Sequence, residues 1–419
     1  MVLEIGISNF FSISEEVILD LRAANINSAK SRALKNNVFQ FGELDVLKTA
    51  AIYGANASGK SNIINTIRFC HRMVFESHNF NQDAILNYKP FKFGKYPTLP
   101  SSYYIRFVSK GIEYYYSFSL QNNEILTEEL YYYPNGKKAK VFKRDEKAGK
   151  EKKSIYSFGT SVIKRPFDVA ESTSKKTLFI SRASQMDREI PKEVFNFFHQ
   201  SFILDYHNYS NKHLKELLKN YKPQLLEGLQ LADSDILDFK FQTKKSKGRS
   251  VNIDFPSEAV SFDENETESL EIKTYHRSSP DIPFNFLTEE SLGTRKLFFI
   301  LLTIIDVLHH NKILLIDEIE DSLHSAIVEY ILSIFNISES AQLIYSTHNT
   351  NLLNLDHIRK DQVWFVNKRE DGSSDLYSLY DYSDFRDTMN LEKAYLQGRF
   401  DSVPIVNEPE ISYFKDRRR

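Results

Sequence analysis

Cysteine is nearly absent from this chain: Cys70 stands alone in 419 residues. One cysteine excludes a disulfide framework and a zinc site built from several thiolates. Long apolar runs are missing too. The longest, Leu297 to Ile305, has nine residues including one Thr, against about 18 or more for a bilayer span. Met1 leads into mixed polar sequence with no basic-then-apolar leader, so a cytoplasmic location is expected. No sign of charge dominates. The formal net charge is −2, so whole-protein charge implies no nucleic-acid or membrane partner, and any basic surface has to be local. Heptads are not sustained over three or four repeats, which excludes a long coiled-coil arm, and no internal repeat is visible.

What is present is a substantial apolar fraction, 41%, and many aromatics, with 23 Tyr and 32 Phe. The length suits one large domain or two to three ordinary ones. Residues 1–20 alternate apolar and polar positions and predict two short strands. Tyr- and Phe-rich alternating runs between 102 and 144, broken at Lys110-Gly111, Asn122-Asn123 and Asn135-Gly136, predict an antiparallel meander. Residues 137–153 carry nine basic and three acidic side chains and read as a solvated loop or a nucleic-acid-facing patch. Several helices are expected from Ile190 to Leu237, with a kink near Pro223. The stretch 235–255 reads as a hairpin with a basic tip (Lys244, Lys245, Lys247, Arg249), and 261–271 as an acidic loop. From Leu292 helix and strand alternate, the pattern of a parallel α/β sheet.

Residues 54–61, GANASGKS, match the phosphate-loop pattern G-x-x-x-x-G-K-[ST] without a mismatch, after a predicted strand (48–53) and before a predicted helix. Gly54 and Gly59 let backbone N–H groups curl around phosphate oxygens, with Asn56, Ala57, Ser58 and Asn62 as further contacts. Lys60 is expected to reach the β- and γ-phosphates of ATP, and the Ser61 hydroxyl to ligate Mg²⁺. KILLIDE (312–318) is an apolar strand ending in two carboxylates. Asp317 would hold Mg²⁺, and Glu318 would orient and deprotonate the attacking water. His348 ends the next strand, LIYSTH, within reach of a γ-phosphate. Ser291, Gly293 and Thr294 open a long apolar helix, and a helix N-terminus of small residues suits an anion.

Together GANASGKSN, ESLGT, LLIDEIEDSLH and STHNTNLL resemble the ABC/SMC-like ATPases related to RecF and Rad50. The ending NLEKAYLQGRFDSVP (390–404) is similar to that of abortive-infection ATPases of the AbiL/RloA type, the AAA15-like group. The resemblance implies an α/β fold: an ABC-type ATPase head with a RecA-like parallel sheet core, an antiparallel β subdomain and a helical insertion. It divides the chain into an N-terminal lobe (1–100), the β subdomain (101–185), the insertion (186–280) and a C-terminal lobe (281–419). It also implies that Ser291 to Thr294 form a signature motif facing the nucleotide of a second subunit, that Asp321 to His324 form a D-loop and that His348 is a switch histidine. Two positions depart from the family: Phe11, where relatives often have a basic residue, and Asp401, where Gly is usual. Gln82 is the nearest candidate for a Q-loop.

The function so implied is an ATPase that dimerises around ATP and serves as the sensor of an anti-phage system, controlling a separate effector nuclease, with DNA or RNA as a further partner. A RecF/Rad50-like repair ATPase acting on DNA directly is the alternative. A transporter subunit fits worse, because LSGGQ is absent and 232 residues separate Gly59 from Ser291. A fused nuclease domain fits worse as well, because only about 50 residues follow the WFVNK strand.

Overall fold

A computed structural model describes residues 1–402 except Gln82, 205–208, 232–234, 255–258 and Ser322; along 245–254 and 259–269 it describes the backbone alone. Gln82, and with it the Q-loop expectation, therefore lies outside the described residues.

Six short strands form the inner sheet. In spatial order they are Phe202–Ile203, Ile313–Ile316, Gln342–Ser346, Thr49–Gly54, Val363–Lys368 and Ser374–Ser378. The first five run parallel, and the last turns back antiparallel. The near-continuous apolar sequences of strands such as Ile313–Ile316 and Thr49–Gly54 follow from burial on both faces. Ala50, Ile52, Ile313, Leu315 and Ile344 point to one core, while Ala51, Tyr53, Leu314, Ile316, Leu343 and Tyr345 point to another.

Seven antiparallel strands form the outer sheet: Tyr156–Phe158, Ala139–Asp145, Glu124–Tyr132, Ile112–Gln121, Ser101–Ser109, Val2–Ser8 and Val17–Asp20, in that order. The first two strands of the chain thus share a sheet with the meander. The helix Lys60–Glu76 runs between the two sheets, and its Ile63, Ile64, Ile67, Cys70 and Met73 join the core that both contribute to. Beyond the inner sheet, the helices Asn211–Asn220 and Lys222–Leu231 pack with Leu292–His310 around Leu218, Leu225, Phe298 and Leu302. The expected kink is a full break at Tyr221, with Pro223 in the first turn of the next helix, where its missing N–H costs nothing.

The chain is therefore an α/β protein with a mainly parallel core sheet, a separate antiparallel sheet and a group of helices packed beyond the core. Three local expectations are corrected. The stretch from Ile236 to Asp254 is one strand rather than a hairpin, and the acidic run lies in its partner strand, Ala259–His276, rather than in a loop. In that register Lys247 stands opposite Glu266 and Arg249 opposite Glu264, so the alternation of charge belongs to a strand pair. The basic stretch 137–153 is only partly loop, since Ala139–Asp145 is a strand of the outer sheet and Lys152–Ile155 a helical turn. Among the described residues no helix is long and apolar enough to cross a membrane.

Candidate functional site

Functional side chains gather at the C-terminal edge of the inner sheet, where open parallel sheets place their ligands. The strand Thr49–Gly54 ends in the phosphate loop, and the helix starting at Lys60 follows. Gly59 caps that helix at φ +114°. A Cβ there would stand 2.1 Å from the Ser374 hydroxyl and 2.7 Å from that of Ser12, so the position admits only glycine without movement. At Gly54 a Cβ would lie 2.5 Å from the Val366 carbonyl oxygen, because the neighbouring strand passes close by. Among the described residues, no acceptor in the chain takes the N–H groups of Asn56, Ala57, Gly59, Lys60 or Ser61. They form a cradle of donors at a helix N-terminus, the arrangement that suits a phosphate chain.

Lys60 is buried, with Nζ donating to the carbonyls of Gly54 (2.9 Å) and Ala55 (3.1 Å). Burial lowers its pKa, while Glu318, Asp317 and Glu320 pull it back up. Ser58 points inward instead. Its carbonyl accepts from Ser374, and its buried hydroxyl has no partner. Asn62 donates to Ser12 at 2.7 Å, and Ser12 also accepts from Ser374 at 2.7 Å, tying the loop to the turn between Val2–Ser8 and Val17–Asp20 and to the last strand of the inner sheet.

The carboxylates arrive from the strand Ile313–Ile316, two positions from the phosphate-loop strand, with Gln342–Ser346 between them. Ser346 fixes both. Its hydroxyl donates to the Asp317 carboxylate and accepts the Glu318 N–H at 2.8 Å. Glu318 has φ +53°, a left-handed conformation unusual for a glutamate, and its side chain is exposed toward the cavity it helps to line. Such strain collects where surrounding contacts hold a residue for a purpose. His348 lies at the end of the intervening strand, and its backbone N–H donates to Glu320. Burial lowers the His348 pKa and Lys60 lowers it further, against the opposing pull of Glu320, Glu318 and Asp317. The imidazole is therefore held neutral to lower pH than an ordinary histidine.

One cavity of about 590 Å³ is lined by Asn56, Ala57, Gly59, Lys60, Ser61, Asn62, Glu318 and His348, with Ser12, Lys368 and Gly372 completing the wall. The residues present fit a nucleotide with its Mg²⁺. The free N–H cradle and Lys60 suit phosphates, and Ser61 and Asp317 offer the hard oxygen ligands that Mg²⁺ takes. Ser291, Gly293 and Thr294 do not line this cavity. Ser291 caps the helix Leu292–His310, and its hydroxyl accepts the Thr294 N–H at 3.0 Å, so that donor is already engaged. Lys296, one turn on, pairs with Asp321 at 3.3 Å and links this helix to the 321–324 segment, of which Ser322 is not described. Sequence reasoning missed Ser346, Glu320, Ser12, Ser374 and Lys368. The Ser-Thr-His run placed Ser346 two residues before His348, but its partners become visible only with the strand order.

Of the two departures, Phe11 turns away from the cavity and packs on the core, its N–H bonded to the Lys89 carbonyl. Asp401 takes φ +51°, the conformation a glycine would adopt at no cost. The ending is anchored just before it by Phe400, fully buried and stacked on Phe365 at 4.7 Å.

Three solved structures are similar to the chain. They are an SMC head bound to the C-terminal winged-helix domain of ScpA (15% identity, 94% of this chain and 99% of that one, TM-score 0.39), the SMC head domain of Thermotoga maritima (14%, 90% and 98%, 0.38), and the Smc head domain of Pyrococcus furiosus with an extended coiled coil bound to the C-terminal domain of ScpA (15%, 96% and 99%, 0.37). No curated protein matches the sequence. A family model described as "AAA domain, putative AbiEii toxin, Type IV TA system" matches residues 50–354. That span runs from the phosphate-loop strand through the helix Leu292–His310 and both carboxylates to just past His348, and the chain belongs to this family of AAA-domain proteins.

Proposed function

We propose that the protein is a Mg²⁺-dependent ATPase whose site is completed by a second copy of itself. The observation that carries this reading is the convergence of Lys60, Ser61, Glu318 and His348 on one cavity, from segments more than 250 residues apart. ATP lies with its phosphates in the N–H cradle and on Lys60. Ser61 and Asp317 would hold Mg²⁺, which would supply positive charge against the phosphates. Glu318 takes a proton from the attacking water, and neutral His348 contacts the γ-phosphate. Ser291, Gly293 and Thr294 act on the nucleotide of the partner. Supporting this, Ser291 is exposed at a helix end and does not line its own cavity, and the apolar side chains near it in sequence are bare, Leu292 at 71% and Leu287 at 53% exposure. Exposed apolar surface of this kind marks contact sites.

ATP then favours the closed pair because it touches both copies there and only one in the open state. Hydrolysis lets the pair open and passes the signal on. The biological role we infer is the sensor of an abortive-infection system acting on a separate nuclease-type effector. It rests on the family description and on the AbiL/RloA-like ending around Phe400. The experiment is Glu318→Gln. The variant is expected to bind ATP, to lose roughly 10²–10⁴-fold in hydrolysis, and to accumulate as an ATP-bound species of doubled mass in light scattering. Hydrolysis at the wild-type rate would refute the assignment of the base.

A further inference from the structure

We infer that the outer face of the antiparallel sheet is a binding site for single-stranded nucleic acid, built from tyrosines flanked by cations. Along the central strands one side of the pleat is core, with Tyr103, Ile105, Tyr114, Tyr116 and Leu130 at or below 3% exposure. The other side carries Tyr104, Tyr115 and Tyr131, all half-buried. The register sets Arg106 opposite Tyr115, Tyr115 opposite Tyr131 and Tyr131 opposite Lys140, one row across four strands. At about 4.8 Å between strands that row spans roughly 14 Å. Tyr104 and Tyr115 stack with centroids 5.5 Å apart, and Tyr131 lies 6.3 Å from Tyr115. Lys138 Nζ sits 4.2 Å from the Tyr131 centroid, and Arg106 5.8 Å from that of Tyr115.

Adjacent aromatic rings on an open antiparallel sheet are a platform on which two or three unpaired bases stack, and neighbouring cations take the phosphates. Charge favours this occupant toward the Lys140 end of the row. Three carboxylates of the face are matched, Glu4 with Arg22, Glu113 with Arg106 and Glu129 with Lys143, and Glu16 lies toward the Tyr104 end. Among the described residues, Lys137, Lys138 and Lys140 have no carboxylate within ion-pair distance. They open the 137–153 segment with its nine basic and three acidic residues, so the row ends in net positive charge. A duplex does not fit the same chemistry, because its bases are stacked on one another and cannot lie on the rings. The site is separate from the ATP cavity, and the inference does not depend on hydrolysis.

The test is fluorescence anisotropy with labelled 20-nucleotide oligothymidylate, oligouridylate and a hairpin duplex, using the full chain. The wild type is expected to bind one or both single strands more tightly than the duplex, with affinity falling steeply as salt rises. Tyr115→Ala with Tyr131→Ala is expected to lose about tenfold per ring. Tyr115→Phe with Tyr131→Phe, which keeps the rings, is expected to retain binding, so a loss in the alanine pair alone reports stacking. Lys138→Ala with Lys140→Ala is expected to flatten the slope of log affinity against log salt by about 1.4. Unchanged melting curves and ATP turnover in these variants establish that they are folded. A wild type that binds no oligonucleotide, or binds the duplex as well as the single strands, overturns the inference. So do folded alanine and lysine variants that bind as the wild type does, the result expected of a face that takes a protein segment instead.

Discussion

His71 sits on the inner side of the helix that follows the phosphate loop, with Nε2 against the Phe198 carbonyl and its ring against Phe202 at 5.4 Å. Burial drives its pKa down to about 4, with the Phe198 bond opposing and His199 adding to the fall. In the unfolded chain the same group titrates near 6.5. Between these two values the unfolded state binds the extra proton, so stability is whole above about pH 6.5 and is lost as pH falls toward 4, by about 3 kcal/mol. The melting temperature of the wild type is therefore expected to fall more steeply between pH 7 and 4.5 than that of His71→Gln, and parallel profiles would remove His71 from the account. Residues at this scale were unevenly legible. Lys60, Ser61, Asp317 and Glu318 stand in contiguous motifs whose spacing is itself the signal. Ser12 and Ser374 lie outside any motif, Glu320 lies within one whose spacing gives it no role, and their parts depend on segments that meet only after folding.

At the scale of elements, the strand Gln342–Ser346 does most to build the site, because it separates the carboxylate strand from the phosphate-loop strand and binds to both. Its last residue, Ser346, holds Asp317 by side chain and Glu318 by backbone. Outer partners of this kind commonly change metal affinity or activity 10–100-fold when removed. Ser346→Ala is thus expected to raise the Mg²⁺ concentration needed for half-maximal turnover by about that factor, while binding of Mg²⁺-free nucleotide changes little. An unaltered Mg²⁺ profile would mean that Asp317 is oriented by something else. The inner strands were readable from sequence because burial on both faces makes them short and wholly apolar, as in Ile313–Ile316 and Ala50–Tyr53. The pair Ile236–Asp254 and Ala259–His276 was not. The basic cluster in the first resembles a hairpin tip and the acidic run in the second a loop, until the register sets one strand against the other.

On the scale of the whole molecule, two sheets with a helix between them bring the two halves of the candidate site together, and the N-terminus of the helix Leu292–His310 is left exposed while its middle is buried. The parallel core could be anticipated from the alternation of helix and strand after Leu292, but the sharing of the outer sheet between residues 2–20 and 101–158 could not, since pairing over some 100 residues leaves no local trace. The central claim is that Ser291 and its neighbours serve the ATP of a second copy. Lys60→Ala and Ser291→Arg are each expected to be inactive alone, the first lacking its phosphate ligand and the second its trans contact. Mixed, they form a pair with one intact site, made of Lys60 from one copy and Ser291 from the other. The most direct measurement is the ATPase rate of that mixture under conditions where subunit exchange is demonstrated. Partial recovery of turnover is the predicted result, and a mixture as inactive as its components would contradict the shared site.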